Sequence, residues 1–325
     1  MGFFSQTAGL VDARRSATLR ALGIGCLSIG QSIALQPGAD PCAFTCDAFR
    51  SFPAASEISM PRPAVNVAVR AARAAGQIVL RYMNRLDSLE VIEKQRLDYV
   101  SEVDKLAEAE IIRELKRAFP RDAMLAEESG ASGKSRNVWV IDPLDGTHNY
   151  LRGVPHFCVS IGLLEKGEPT LGVVYDPLRG ELFTADKGNG AFLNDRRIRV
   201  GKRDGLGGAL LVTGFPFRQR RHLDVQLGMT RVLLAEAEDI RRTGSAALDL
   251  AYVAAGRFDG FYEIGLKPWD MAAACVLIRE AGGRYCDFSG RDGMPESGNL
   301  IAGNVSVANA MVKAIAPELT PVLAL

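Results

Sequence analysis

The chain has 325 residues, 47% hydrophobic and 24% charged, with a formal net charge of +1. That profile fits a globular protein with a sizeable core and excludes a bulk field for nucleic acid or anionic membrane. The six cysteines lack paired CxxC spacing and the three histidines form no HExxH, which argues against a disulfide scaffold and a histidine zinc site.

Residues 1–59 differ in character from the rest of the chain. They contain no lysine, and Arg14, Arg15, Arg20 and Arg50 balance Asp12, Asp40, Asp47 and Glu57. The apolar run 21–35 follows Arg14 and Arg15 like a targeting segment, with Ser32-Ile33-Ala34 resembling a cleavage site. Gly23, Gly25, Ser28, Gly30 and Gln31 interrupt that run, which is too short and polar to span a bilayer. We read 1–59 as an unstructured extension or a mis-assigned start, with Met60 the true start. A domain over 60–325 comes next, with subdomains about 60–205 and 206–325.

Helical spacing of Val65, Val69, Ala72, Gly76, Val79, Leu80 and Met83 predicts a helix over 63–83. An extended segment follows near 88–94. Ser101 begins a second helix as an N-cap with Asp104 three residues on, and Pro120 stops it after Phe119. Strands are predicted at 123–126, 138–142, 157–164, 171–176, 181–185, 191–200, 208–213 and 284–288. Helices are predicted at 222–235, 244–256, 268–281 and 306–316. This mixture indicates a layered α/β or α+β fold. Gly133-Lys134-Ser135 ends like a phosphate loop, but Gly130 is misplaced for one, so it reads as a surface loop. The basic run 217–221 likewise reads as a solvated loop.

Acids end several apolar segments: Glu127 and Glu128, then Asp142 and Asp145. Asp104 and Asp270 fall in first turns of helices, where capping alone would explain them. Capping does not explain Asp142-Pro143-Leu144-Asp145. A buried strand ending in two carboxylates needs neutralising, and hard cations such as Mg²⁺ take oxygen ligands. Gly146 permits close backbone approach, and Thr147 offers a hydroxyl where a helix could begin.

Trp139-Val140-Ile141-Asp142-Pro143-Leu144-Asp145-Gly146-Thr147 resembles the first signature of the inositol monophosphatase family. Lys267-Pro268-Trp269-Asp270-Met271-Ala272-Ala273, continued by Glu280-Ala281-Gly282-Gly283, resembles the second. Asp98 to Asp104 and Ala126-Glu127-Glu128-Ser129 resemble two further family segments, with Ser101 and Ala126 as departures. Gly214 to Phe217 and the stretch 241–256 resemble its bacterial SuhB-type branch.

The resemblance implies the αβαβα sandwich of the sugar phosphatases. It implies one Mg²⁺ on Glu127, Asp142 and the Leu144 carbonyl, and a second on Asp142, Asp145 and Asp270. A third, weaker Mg²⁺ beside Glu127 would help generate the attacking water. Asp104 and Thr147 would orient and deprotonate that water. Backbone donors of Gly146 and Thr147 would hold the phosphate. Gly244, Ser245 and Ala246 would line the sugar pocket, and Glu263 would bind substrate hydroxyls. Lys94 and Asp98 would lie in a mobile loop. The expected reaction is lithium-sensitive hydrolysis of inositol 1-phosphate and similar small phosphorylated polyols. Fructose 1,6-bisphosphate, histidinol phosphate and nucleotide 3′-phosphates are alternative substrates. The branch also implies a partner in the ribosomal RNA antitermination machinery. A cytoplasmic homodimer without membrane or direct nucleic-acid binding is expected. His148 departs from the family, which has a second threonine there, and reads as a neutral side chain that tunes the site.

Overall fold

The computed structural model describes residues 62–83, 85–86, 91–95, 98–319 and 323, with backbone alone for 91–95 and 98–100. The extension over 1–59, Met60 and the side chains of Lys94 and Asp98 lie outside the described residues. The fold belongs to the compact unit Ser56–Leu325.

Helices α1 (Pro63–Met83) and α2 (Glu102–Ala118) pack together as an outer layer. The buried face of α1 centres on Ala68, Ala71, Ala72 and Ala75, with Val65 and Val79 at its ends. Val69, Leu80 and Met83 are only partly buried. Small side chains let α2 and the sheet approach closely, which a reading weighted towards valine and leucine underrates. Ser101 caps α2: its hydroxyl accepts from Val103 N–H, and Asp104 accepts from Ser101 N–H. A short hairpin, β1 (Val91–Gln95) and β2 (Asp98–Ser101), precedes it.

Beneath lies a sheet of eight strands: β3 (Ala123–Ala126), β4 (Gly130–Ser132), β5 (Asn137–Asp145), β6 (Cys158–Glu165), β7 (Glu168–Asp176), β8 (Glu181–Asp186), β9 (Gly190–Leu193) and β10 (Arg196–Arg197). Their order is β10-β9-β8-β7-β6-β5-β3-β4, and β3 runs parallel to β5. The single strand expected at 191–200 is instead two. Asn194 and Asp195 both take positive φ, at 46° and 64°. They turn β9 back on β10, a geometry that asparagine and aspartate tolerate. Gly130, expected in a loop, opens β4, whereas Gly133-Lys134-Ser135 is an exposed turn as expected.

The middle layer is α5 (Ala246–Ala254) and α6 (Pro268–Glu280). Gly162 and Gly172 let α6 lie flat on the large sheet. A Cβ on Gly172 would overlap the Ala273 carbonyl oxygen. A second sheet comes next, ordered β12 (Asp239–Arg241), β11 (Leu210–Thr213), β13 (Gly260–Glu263), β15 (Leu300–Gly303) and β14 (Arg284–Cys286). Strands β12, β13 and β15 were not anticipated. Each has only three or four residues and depends on neighbours for its pairing. Helices α4 (Leu223–Leu234) and α7 (Val305–Ile315) cover the far face. The result is the layered αβαβα sandwich. Among the described residues no helix is long and apolar enough to cross a membrane.

Candidate active site

The site begins with strand pairing. Because β3 and β5 are parallel, with Ala126 opposite Ile141, both end at the same edge of the sheet. Glu127 follows β3 and donates its N–H to the Ile141 carbonyl at 3.1 Å, which holds it beside Asp142. Two aspartates three apart on a regular strand would face opposite ways. Here Asp142 pairs with Ser160 and Asp145 with Cys158, so three steps along β5 match two along β6. The extra residue is a β-bulge at Pro143-Leu144, where proline has no N–H to pair. It brings both carboxylates to one cavity.

Asp270 arrives from the middle layer. It is the third residue of α6 and accepts from Lys267 N–H at 2.7 Å, so it also caps the helix. Carboxylate oxygens of Asp142, Asp145 and Asp270 lie within 4.8 Å of one another. Glu127 falls outside this trio but lines the same cavity of about 250 Å³. Such crowding without a cation is costly. Burial, then the charges of Glu127, Asp145 and Asp270, hold the Asp142 carboxyl well above the usual range. Burial raises Asp145, against hydrogen bonds from Ser245 and Ala247. Burial and Asp145 push Asp270 up to about 7. A compact set of hard oxygen donors whose charges oppose one another is the donor chemistry that suits Mg²⁺.

The same crowding couples stability to pH. The unfolded chain releases these protons near pH 4, whereas folded Asp270 keeps its proton to about 7. Ion-free protein therefore loses stability as pH rises through that window. Mg²⁺ requires the deprotonated form, so its benefit grows with pH. Added Mg²⁺ should raise the melting temperature more at about pH 8 than at about pH 5. An equal shift at both, read by calorimetry, would contradict this.

Thr147 opens α3 (Thr147–Leu151). Its hydroxyl lies 3.0 Å from Asp104 Oδ1 and 3.0 Å from the Leu144 carbonyl oxygen. The other oxygen of Asp104 accepts from Ser101 Oγ at 2.5 Å and Ser101 N–H at 2.8 Å. One carboxylate thus caps α2 with Oδ2 and faces the site with Oδ1. Burial raises its pKa. Gly146 takes φ 97°, and a Cβ there would meet the His156 carbonyl oxygen at 3.0 Å, so only glycine fits.

The far wall comes from the second half of the chain. Gly244, Ser245, Ala246 and Glu263 all line the cavity. Ser245 Oγ and Ala247 N–H donate to Asp145 Oδ2 at 2.7 and 2.8 Å. Burial and the charges of Asp270, Asp249 and Asp145 hold the Glu263 carboxyl well above its ordinary range. The structure therefore gathers Glu127, Asp142, Leu144, Asp145, Gly146, Thr147 and Asp270 with these four, and Asp104 touches the group through Thr147.

Further residues complete the wall. Phe217, Arg218 and Gln219 line the cavity, so the basic run 217–221 is not simply a solvated loop. Arg242 lines it too. Exposed His148 lies at the rim, its ring 5.9 Å from that of Phe217. Cys158 lies beneath Asp145, its Sγ 3.9 Å from Oδ2, with burial raising the thiol. No local spacing marks Arg242 or Cys158, which tertiary contact alone brings to the site.

The model of the inositol monophosphatase family matches residues 60–320. The chain belongs to the inositol monophosphatase family. Within it the chain falls in the SuhB-like branch. It is 56% identical over 262 residues to Nus factor SuhB of Xylella fastidiosa, covering 79% of this chain and 95% of that one. The crystal structure of the SuhB protein of Bartonella henselae superposes with a TM-score of 0.76 at 43% identity, covering 79% and 99%. An inositol monophosphatase from Anabaena gives a TM-score of 0.69 at 38% identity, covering 80% and 98%.

Proposed function

We propose that this inositol monophosphatase family member is a Mg²⁺-dependent phosphatase of small phosphorylated polyols, inositol 1-phosphate foremost. The observation that carries this is the trio Asp142, Asp145 and Asp270, with oxygens within 4.8 Å, beside the Thr147–Asp104 hydrogen bond. Asp142, Asp145 and Asp270 would hold one ion, and Glu127, Asp142 and the Leu144 carbonyl another. Bound Mg²⁺ supplies Lewis-acid stabilisation of phosphate charge and makes water a better nucleophile near neutral pH.

The chain's own groups do the rest. Gly146 and Thr147 offer backbone donors to the phosphate. The Thr147 hydroxyl orients the attacking water, whose proton passes to Asp104. Burial raises Asp104 towards neutrality, which improves it as a base. As water oxygen bonds to phosphorus, the ester P–O bond breaks and the alkoxide departs towards Glu263 and the 244–246 wall, taking up a proton from solvent water to leave as the alcohol.

The test is a panel of phosphate esters with Mg²⁺, followed by released phosphate. Inositol 1-phosphate should be hydrolysed faster than fructose 1,6-bisphosphate, histidinol phosphate or a nucleotide 3′-phosphate. A flat response across the panel, or turnover unchanged by a chelator, would refute the reading.

A second reading rests on relatives bearing the name Nus factor SuhB at 47–56% identity. It gives the chain a further role as a partner of the transcription apparatus. The clustered carboxylates favour chemistry as the first role, since a binding module gains nothing from their mutual repulsion. Absence of RNA polymerase or Nus factors from a pull-down would count against the second.

A further inference from the structure

A closed ring of polar contacts surrounds the support of Asp145. His156 is half-buried, and its Nε2 lies 3.0 Å from Asp249 Oδ1. Asp249, on α5, is 2% exposed and also accepts a short hydrogen bond from the Thr243 hydroxyl. Asn149, on α3, donates to the His156 carbonyl at 2.7 Å and to the Thr243 carbonyl at 2.8 Å. The rings of His156 and Tyr252 meet edge to face, with centroids 5.8 Å apart. Three segments are thereby locked together: the turn after Gly146, the approach to β6 and the turn before α5. The last of these carries the Ser245 hydroxyl and Ala247 N–H that grip Asp145 Oδ2.

We propose that His156 is a positioning residue for Asp145, acting through Asp249 and the turn 243–247. His156 fixes Asp249, Asp249 fixes Thr243 and the start of α5, and these set the direction of the Asp145 carboxylate. A histidine that merely filled core space would need no donor at Nε2. Outer partners of this kind commonly set ion affinity by orienting a ligand. The inference rests on the metal-binding reading of Asp145.

The test is Mn²⁺ binding to the full chain by calorimetry, beside thermal melting. His156→Phe keeps the ring against Tyr252 but removes the donor, and Mn²⁺ affinity should fall about tenfold. His156→Gln, whose amide can still donate to Asp249, should lose less than about threefold. Should His156→Phe not fold, Thr243→Val removes the other donor to Asp249 with little change in shape, and the same tenfold loss is expected. Wild-type affinity in a folded His156→Phe protein would overturn the proposal, as would equal losses for Phe and Gln. Failure of the wild-type protein to bind Mn²⁺ would overturn the metal reading and this proposal together.

Discussion

Replacing Asp145 by asparagine should lower Mg²⁺-dependent phosphate release by roughly three orders of magnitude. Asp145 Oδ2 accepts from both Ser245 Oγ and Ala247 N–H, so the amide oxygen of asparagine must turn that way. Its NH₂ then faces Asp142 and Asp270, a donor where an ion needs an acceptor. Folding should not suffer. The three carboxylates repel one another in the absence of an ion, and removing one charge relieves that repulsion. The expected signature is lost turnover with an unchanged or raised melting temperature. Full activity in this variant would refute the proposed chemistry.

The second large effect belongs to Asp104. Asp104→Asn should reduce kcat by about 100- to 1000-fold while KM changes little, since the change removes a proton acceptor. Its two oxygens separate the roles. The asparagine oxygen can still accept from Ser101 N–H and keep the start of α2, leaving its NH₂ to point at Thr147. Ser101→Ala is the matched control. It weakens the cap by about 1 kcal/mol but spares the contact between Thr147 and Asp104. Equal kinetic losses in both variants would show that Asp104 matters through α2 alone.

Much of this was legible in the sequence because its signals are local. The spacing in 63–83 and the cap at Ser101 depend on neighbours within a turn or two, and both elements appear where expected. The acids at 127, 142 and 145 stand out because charge ending an apolar segment is uncommon, whereas Asp270 reads locally as a helix cap and is singled out by the family resemblance. What escaped was set by distant contact. Strand β15 is four residues long and draws its pairing from β13 and β14. His156 and Asp249 are 93 positions apart, and nothing near either residue announces the other. The turn at Asn194-Asp195 is a different case. Its residue types are those a tight hairpin favours, but the alternation of Arg197, Ile198, Arg199 and Val200 beyond them continues a strand pattern across the turn.

The bulge at Pro143-Leu144 governs how this site can be altered. A strand is an alternating code, and its parity decides which way every later side chain points. The two aspartates share a face only because one uncounted residue lies between them. Conservative substitutions along β5 leave that parity intact. Pulling the bulge into regular pairing, with every residue kept, would turn Asp145 away from its partners. The chemistry therefore depends on how this strand end pairs as well as on the letters it carries.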